Sequence, residues 1–123
     1  MIAIILLALA PPAPAAPPPA ACTSRTSVDR LPGRWVGAFA GVDWTFELTR
    51  DGDGWSGRSQ TSRTRTWRPL EAVSVADGCV TFSVKSEPRL TFVLAPDAAG
   101  TTLSGDLQIA GHATLPFTAK RAS

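Results

Sequence analysis

The strongest constraint on the fold is a period of two in hydrophobicity that runs from Gly33 to the end of the chain. Apolar and polar side chains alternate there, and clusters of Gly, Pro and Asp interrupt the alternation at short intervals. Such alternation is typical of β-strands with one buried face, and the interruptions are typical of turns. The pattern predicts about eight strands, over residues 35–39, 44–49, 55–64, 67–76, 80–84, 90–94, 103–109 and 115–119.

Short sequential strands that each have one apolar face must curl or double over to bury that face. The arrangement with the shortest connections is an antiparallel up-and-down barrel or a strongly coiled meander. A two-sheet β-sandwich is the alternative. Gly37, Gly57 and Gly105 each follow a bulky apolar residue by two positions. Glycines within strands mark sharp coiling or close backbone approach, so they favour the barrel. The predicted fold class is therefore all-β.

The N-terminal part of the chain has the pattern of an export signal. Residues 2–10 form an unbroken apolar run, which is too short for a membrane-spanning helix of about 20 residues. Ala13-Pro14-Ala15 then supplies an A-x-A cleavage pattern, although no Lys or Arg precedes the run. We interpret residues 1–15 as a signal peptide, 16–32 as a Pro/Ala-rich linker and 33–123 as a single barrel domain. The expected location is periplasmic or secreted.

Export favours a disulfide between Cys22 and Cys79, because oxidising compartments preserve disulfides. Acylation of Cys22 is the alternative, since Ala20-Ala21-Cys22 resembles the end of a bacterial lipobox and would make an outer-membrane lipoprotein. Pro19 stands where that motif has an aliphatic residue, which disfavours the lipid anchor. Two cysteines and one histidine are too few for a closed zinc site. We expect no metal and no cofactor.

The most distinctive chemistry lies in residues 58–68, which carry four arginines and no acidic residue. Arg63, Arg65, Trp67 and Arg68 are the predicted ligand-binding residues, because arginine pairs with carboxylate or phosphate and an aromatic ring can stack on it. Arg63 and Arg65 would share one face of a strand. A lipid headgroup, a lipopolysaccharide or a polyanionic glycan would suit such a face. Alternatively, the strand is simply solvated and its charges prevent edge-to-edge aggregation.

Nucleic acid is not an expected partner, because the chain is predicted to be exported and its net charge is only +2. Catalysis is not expected either. The sequence lacks the G-x-S-x-G, S-x-x-K, H-E-x-x-H and Gly-rich phosphate motifs. His112 lies beside Gly111 in a predicted turn. Residues 51–54 (DGDG) are interpreted as a hairpin turn, because Ser62 stands where a calcium loop of the EF-hand type needs Glu.

Gly33-Arg34-Trp35 resembles the G-x-W pattern on the first strand of calycins, the group that includes lipocalins. The resemblance implies that Trp35 plugs one end of the barrel and that Arg121, or Lys120, packs over it from the last strand. The chain is also similar to a small bacterial β module sometimes found ahead of exported serine hydrolases. That similarity rests on residues 35–37, 51–54, 69–70 and 103–105.

The sequence predicts an exported, non-catalytic, calycin-like binding module for a small apolar or amphiphilic anionic ligand. The alternative is an interaction domain that docks on another envelope protein and takes no small ligand. The size of the interior distinguishes the two hypotheses. An open apolar cavity favours ligand binding, whereas a core filled by phenylalanine favours docking. The four residues expected to fill such a core are Phe46, Phe82, Phe92 and Phe117.

Overall fold

The structure, a computed structural model, describes residues 28–122. The predicted signal peptide, Cys22 and most of the predicted linker lie outside the described residues. A short 3₁₀ helix, Val28–Arg30, is followed by nine strands. They are β1 (Gly33–Phe39), β2 (Val42–Asp51), β3 (Gly54–Thr61), β4 (Arg68–Pro69), β5 (Glu71–Ala76), β6 (Cys79–Val84), β7 (Leu90–Pro96), β8 (Thr102–Ile109) and β9 (Ala113–Arg121). No helix in this part of the chain is long and apolar enough to cross a membrane.

The strands form one antiparallel sheet in the order β4-β3-β2-β1-β9-β8-β7-β6-β5. The first strand pairs with the last, with Trp35 opposite Arg121 and Gly37 opposite Ala119. All other pairs of neighbours are consecutive in the chain, which is the up-and-down topology. The predicted all-β barrel is confirmed, and the two-sheet sandwich is not formed.

One bent segment brings the two edges of the sheet together. Arg68 and Pro69 pair with β3, and the backbone N–H of Leu70 donates to the carbonyl of Gly57 at 2.9 Å. From Glu71 onward the same segment pairs with β6, and the register of that pairing shifts between Glu71 and Ser74. Ala72, at this bend, has a φ of 54°. The sequence predicted a single strand over residues 67–76. The bend lets the first half of this segment pair with β3 and the second half with β6. The barrel is therefore nearly closed.

The predicted strand 55–64 is shorter than expected, because β3 ends at Thr61. The hydroxyl of Thr61 accepts the backbone N–H of Thr64 at 3.2 Å, and the amide of Gln60 donates to the carbonyl of Arg65 at 2.8 Å. Such local bonds compete with strand pairing and make a loop of residues 62–67. The prediction that Arg63 and Arg65 share a strand face was therefore wrong.

Aromatic rings fill the middle of the barrel. The ring of Phe46 lies 4.9 Å from that of Phe82 and 4.9 Å from that of Phe92. Phe117 lies 5.0 Å from Phe92, and all four are buried. Their positions follow from the alternation, since every second side chain of a strand points to the same face. Among the described residues, the middle of the barrel is therefore a packed aromatic core.

The two ends of the barrel differ. We call one the closed end; it holds residues 28–32 and the turns at 52–53, 77–78 and 97–101. Leu31 is fully buried there, so residues 28–32, assigned to the linker from the sequence, pack with the barrel. We call the other end the mouth; it holds the loops at 40–41, 62–67, 85–89 and 110–112.

Candidate functional site

The closed end is sealed by a tryptophan beneath an arginine. Trp35 is completely buried, and the guanidinium carbon of Arg121 lies 4.2 Å from the centre of its ring. Arg121 also donates to the carbonyls of Gly100 at 2.9 Å and Pro32 at 3.0 Å. The predicted contact between Trp35 and Arg121 is confirmed, whereas Lys120 is exposed. Because Arg121 packs on the Trp35 ring and hydrogen-bonds to backbone carbonyls, this pair stabilises the barrel.

The structure separates the four predicted ligand-binding residues. Arg63 and Arg65 lie in the exposed loop at the mouth, and Arg68 begins β4 beside that loop. Trp67 lies between them in sequence but contacts the outer face of the barrel. Adjacent residues of an extended segment point to opposite sides, so the side chains of Trp67 and Arg68 lie on different faces of the barrel wall. The structure does not place them on a single surface.

Trp67 covers an ion-pair network on the outer face. The carboxylate of Glu47 accepts from Arg34 at 2.9 Å and from Arg58 at 2.9 Å. The guanidinium carbons of Arg34 and Arg58 lie 5.4 Å and 4.3 Å from the Trp67 ring centre. The hydrogen bond from Arg34, and then that from Arg58, lower the pKa of Glu47 below its ordinary value. Trp67 is thus already engaged by arginines of its own barrel.

A pocket of about 180 Å³ opens at the mouth. Trp44 and Val84 contribute its main apolar surfaces, and Arg68 and Lys85 contribute two cations. The ring of Trp44 stacks on Phe46 at 6.2 Å, so the wall rests on the core. Within the described residues, Trp44 Nε1 is the buried side-chain nitrogen that has no hydrogen-bond partner. No carboxylate lines the pocket, and its chemistry therefore favours an anion.

Sequence reasoning identified Arg68 but missed the other main residues of this pocket. The alternation of Trp44 with Phe46 and Leu48 indicates a core position, and the structure places Trp44 half-buried against that core. Lys85 directly follows β6 and comes from a hairpin remote in sequence from Arg68. No local pattern links Lys85 to the basic stretch, so only the barrel closure brings the two cations to one pocket.

The charges of the barrel are distributed unevenly. Arg63, Arg65, Arg68 and Lys85 lie at or next to the mouth, and none of them forms an ion pair with a described residue. By contrast, the aspartates of the turns lie at the closed end; they are Asp51, Asp53, Asp77 and Asp97. Two carboxylates, those of Asp43 and Glu87, also lie at or next to the mouth, so the mouth carries more cations than anions.

Among residues 28–122, no group of three or more His, Cys, Asp or Glu side chains could hold a metal ion. His112 is exposed in the mouth turn after β8. Cys79 is buried at 4% exposure and is not a free thiol. Its predicted partner Cys22 lies outside the described residues, so the disulfide stays a prediction.

Comparison with protein-family models, with curated proteins and with solved structures finds no match to this chain. The calycin resemblance therefore rests on the residues themselves. Its structural support is the barrel and the contact between Trp35 and Arg121.

Proposed function

We propose that this protein is an exported, non-catalytic binding module with a calycin-like barrel, and that its mouth binds an anionic partner. The observation that carries the proposal is the cluster of four cations at the mouth without ion-pair partners among the described residues. Those residues are Arg63, Arg65, Arg68 and Lys85. Cations that form no ion pair with a described residue can pair with a carboxylate or phosphate from outside.

The packed core leads us to place the ligand at the mouth. Phe46, Phe82, Phe92 and Phe117 are buried together in the centre of the barrel. Apolar surface is available at the mouth instead, where Trp44 and Val84 line the pocket beside Arg68 and Lys85. We infer that the charged part of a small amphiphilic ligand binds at the mouth while the rest stays outside.

The proposal is tested by binding of the full chain to anionic vesicles and anionic polysaccharides in parallel. Joint replacement of Arg63, Arg65 and Arg68 by Ser should abolish binding without unfolding the barrel, because all three are exposed and form no ion pair with a described residue, and such surface substitutions usually change stability by no more than about 0.5 kcal/mol each. Wild-type binding should also weaken steeply as salt rises, since the Debye length falls from about 10 Å at 0.1 M to about 3 Å at 1 M.

A matched control removes the same number of positive charges from the closed end. Its substitutions are Arg30→Ser, Arg50→Ser and Lys120→Ser, all at exposed positions. Binding by this variant should stay close to wild type. Equal losses in the two variants would show that net charge alone matters, and absence of salt-sensitive binding by wild type would reject the proposal.

A second candidate function is docking on another envelope protein without any small ligand. The packed core favours it, because a barrel filled by phenylalanine has no internal site to maintain. In that case the cationic mouth would contact an acidic protein surface. The same triple variant would then lose a protein complex, detectable by cross-linking in the envelope, while vesicles and polysaccharides would bind neither variant nor wild type.

For either candidate we propose a periplasmic or secreted location, with cleavage after Ala15 and a disulfide between Cys22 and Cys79. An outer-membrane lipoprotein acylated on Cys22 remains the alternative. Both follow from the sequence pattern of the N-terminal segment.

A further inference from the structure

We propose that the mouth pocket binds a single hydroxylated anion of sugar size, such as one uronic acid unit of a glycan. This inference rests on the proposed function, since it names the class of anion that the mouth selects. The donors, the acceptors and the size of the pocket support it.

The pocket offers donors for a carboxylate. Arg68 and Lys85 line it and form no ion pair with a described residue. Trp44 adds an indole N–H that lacks an acceptor. This nitrogen is shielded from solvent by the surrounding side chains. Charge-assisted hydrogen bonds of this kind are about twice as strong as neutral ones.

The pocket also offers acceptors, and these distinguish a sugar acid from a simple anion. Thr66 donates its hydroxyl proton to the carbonyl of Thr64 at 3.3 Å, and Ser86 donates its own to the carbonyl of Pro88 at 2.7 Å. A hydroxyl whose proton is used this way can only accept a further hydrogen bond. Both hydroxyls therefore suit a ligand that brings O–H donors.

Gln60 adds a third acceptor to the same wall. Its side-chain nitrogen donates to the carbonyl of Arg65 at 2.8 Å, which assigns the orientation of the amide and leaves its carbonyl oxygen as an acceptor. A bare carboxylate carries no donor for these oxygens. A neutral sugar carries the donors but leaves Arg68 and Lys85 without a counter-charge. A hydroxylated anion meets both requirements.

The size and the apolar wall of the pocket fit one ring. Its volume is about 180 Å³. Pockets for drug-sized ligands have about 300–1,000 Å³, so this pocket suits a smaller group, of the size of one ring. The aliphatic C–H groups of a sugar ring can pack on the half-buried Trp44 and on Val84, which line the pocket.

The test compares three compounds of similar ring size by NMR chemical-shift titration of the full chain. Methyl glucuronide carries the hydroxyls and the carboxylate, methyl glucoside lacks the carboxylate, and cyclohexanecarboxylate lacks the hydroxyls. Methyl glucuronide should bind at least about tenfold more tightly than either of the others, since each partial ligand leaves several hydrogen bonds unmade. Its shifts should centre on Trp44 and Lys85.

Single substitutions assign the two parts of the ligand to their partners. Lys85→Gln should weaken methyl glucuronide and cyclohexanecarboxylate alike. Thr66→Val keeps the shape of the side chain and should weaken only methyl glucuronide, by about threefold to tenfold. Lys120→Gln, which removes an exposed cation from the closed end, should weaken neither.

Cyclohexanecarboxylate binding as tightly as methyl glucuronide would overturn the inference, as would a Thr66→Val variant with unchanged selectivity. If the mouth binds phosphatidylglycerol vesicles through Arg63, Arg65 and Arg68 but gives no shifts with methyl glucuronide, the proposed function stands and this inference fails. If no anion of any kind binds, both fail.

Discussion

The guanidinium of Arg121 lies against the ring of Trp35, 4.2 Å from its centre, and the two residues are direct partners across the first and last strands. The indole N–H of Trp35 donates to the carbonyl of Leu31 at 2.9 Å, and Arg121 donates to carbonyls of Pro32 and Gly100. This pair therefore joins β1, β9, the segment before β1 and the turn before β8. It fastens the junction between the first and the last strand of the barrel.

Replacement of Trp35 by Ala should cost about 3–5 kcal/mol, because it removes a large side chain from a fully packed site. Urea unfolding measures this loss as a lower transition midpoint. Trp67→Ala provides the comparison, since Trp67 lies on the outer face and is only half-buried; it should cost much less. A loss below about 1 kcal/mol for Trp35→Ala would contradict the role of Trp35 as the plug.

Replacement of Arg121 by Lys should destabilise the barrel by about 1–3 kcal/mol, although the charge is kept. Lysine lacks the planar fork of donors, so the backbone carbonyls that Arg121 satisfies would lose their partners. The measurement is again urea unfolding. Lys120→Gln, one residue earlier and exposed, should change the free energy of unfolding by no more than about 0.5 kcal/mol. Equal losses of unfolding free energy at the two positions would contradict the role of Arg121 in joining the first and last strands.

Gly105 on β8 lies so close to β7 that a Cβ atom would overlap the backbone carbonyl of Val93. Gly105→Ala should therefore force the two strands apart and cost at least about 1–3 kcal/mol, as overpacking does. Gly54→Ala is the matched control, because its Cβ would stand 3.4 Å from the nearest atom, the carbonyl oxygen of Asp51. Thermal unfolding should separate the two variants clearly. A Gly105→Ala variant as stable as Gly54→Ala would show that β7 and β8 have room for a side chain at position 105.

Glu47 should make stability depend on pH in the acid range. Its pKa is lowered from 4.5 by hydrogen bonds from Arg34 and Arg58, so the unfolded state binds protons more readily than the native state. The stabilisation is fully present above the ordinary pKa of 4.5. It is lost as the pH falls through the lower pKa of Glu47 in the native state. Because the network is exposed, we expect a contribution of about 1 kcal/mol or less.

The variant Glu47→Gln tests this by urea unfolding at a series of pH values. The difference in unfolding free energy between wild type and variant should be largest near about pH 7 and should shrink towards about pH 3. Asp97, whose pKa is lowered chiefly by the backbone N–H of Thr101, should leave some acid dependence in the variant. A difference that stays constant with pH would show that Glu47 acts by packing and not by charge.

The exported protein should begin near Ala16 and carry a disulfide between Cys22 and Cys79. Intact-mass analysis before and after reduction would show the gain of two hydrogens. In the chain-entropy model, closing so long a loop stabilises the protein by about 4 kcal/mol, so reduction should lower the unfolding midpoint. Two free thiols, or a diacylglycerol adduct on Cys22, would reject the disulfide.

The all-β class and the barrel could be predicted from the sequence because alternation is a local property. Side chains of a strand point alternately to its two faces, so the spacing of Phe46, Phe82 and Phe92 within their strands already sorts inside from outside. The partnership of Trp35 and Arg121 could be predicted only from the resemblance of residues 33–35 to the calycin pattern, since the two residues are remote in sequence.

Tertiary structure decided which residues of the basic stretch 58–68 lie on the outer face and which lie at the mouth. Side-chain hydrogen bonds of Gln60 and Thr61 end β3 early, and the bend at Leu70 turns the chain towards β6. Trp67 thereby reaches the arginines of the outer face, while Arg68 meets Lys85 at the mouth. Alternation fixes which side of a strand a residue occupies, but strands distant in the sequence become neighbours only when the barrel closes, and it is closure that assembles the pocket.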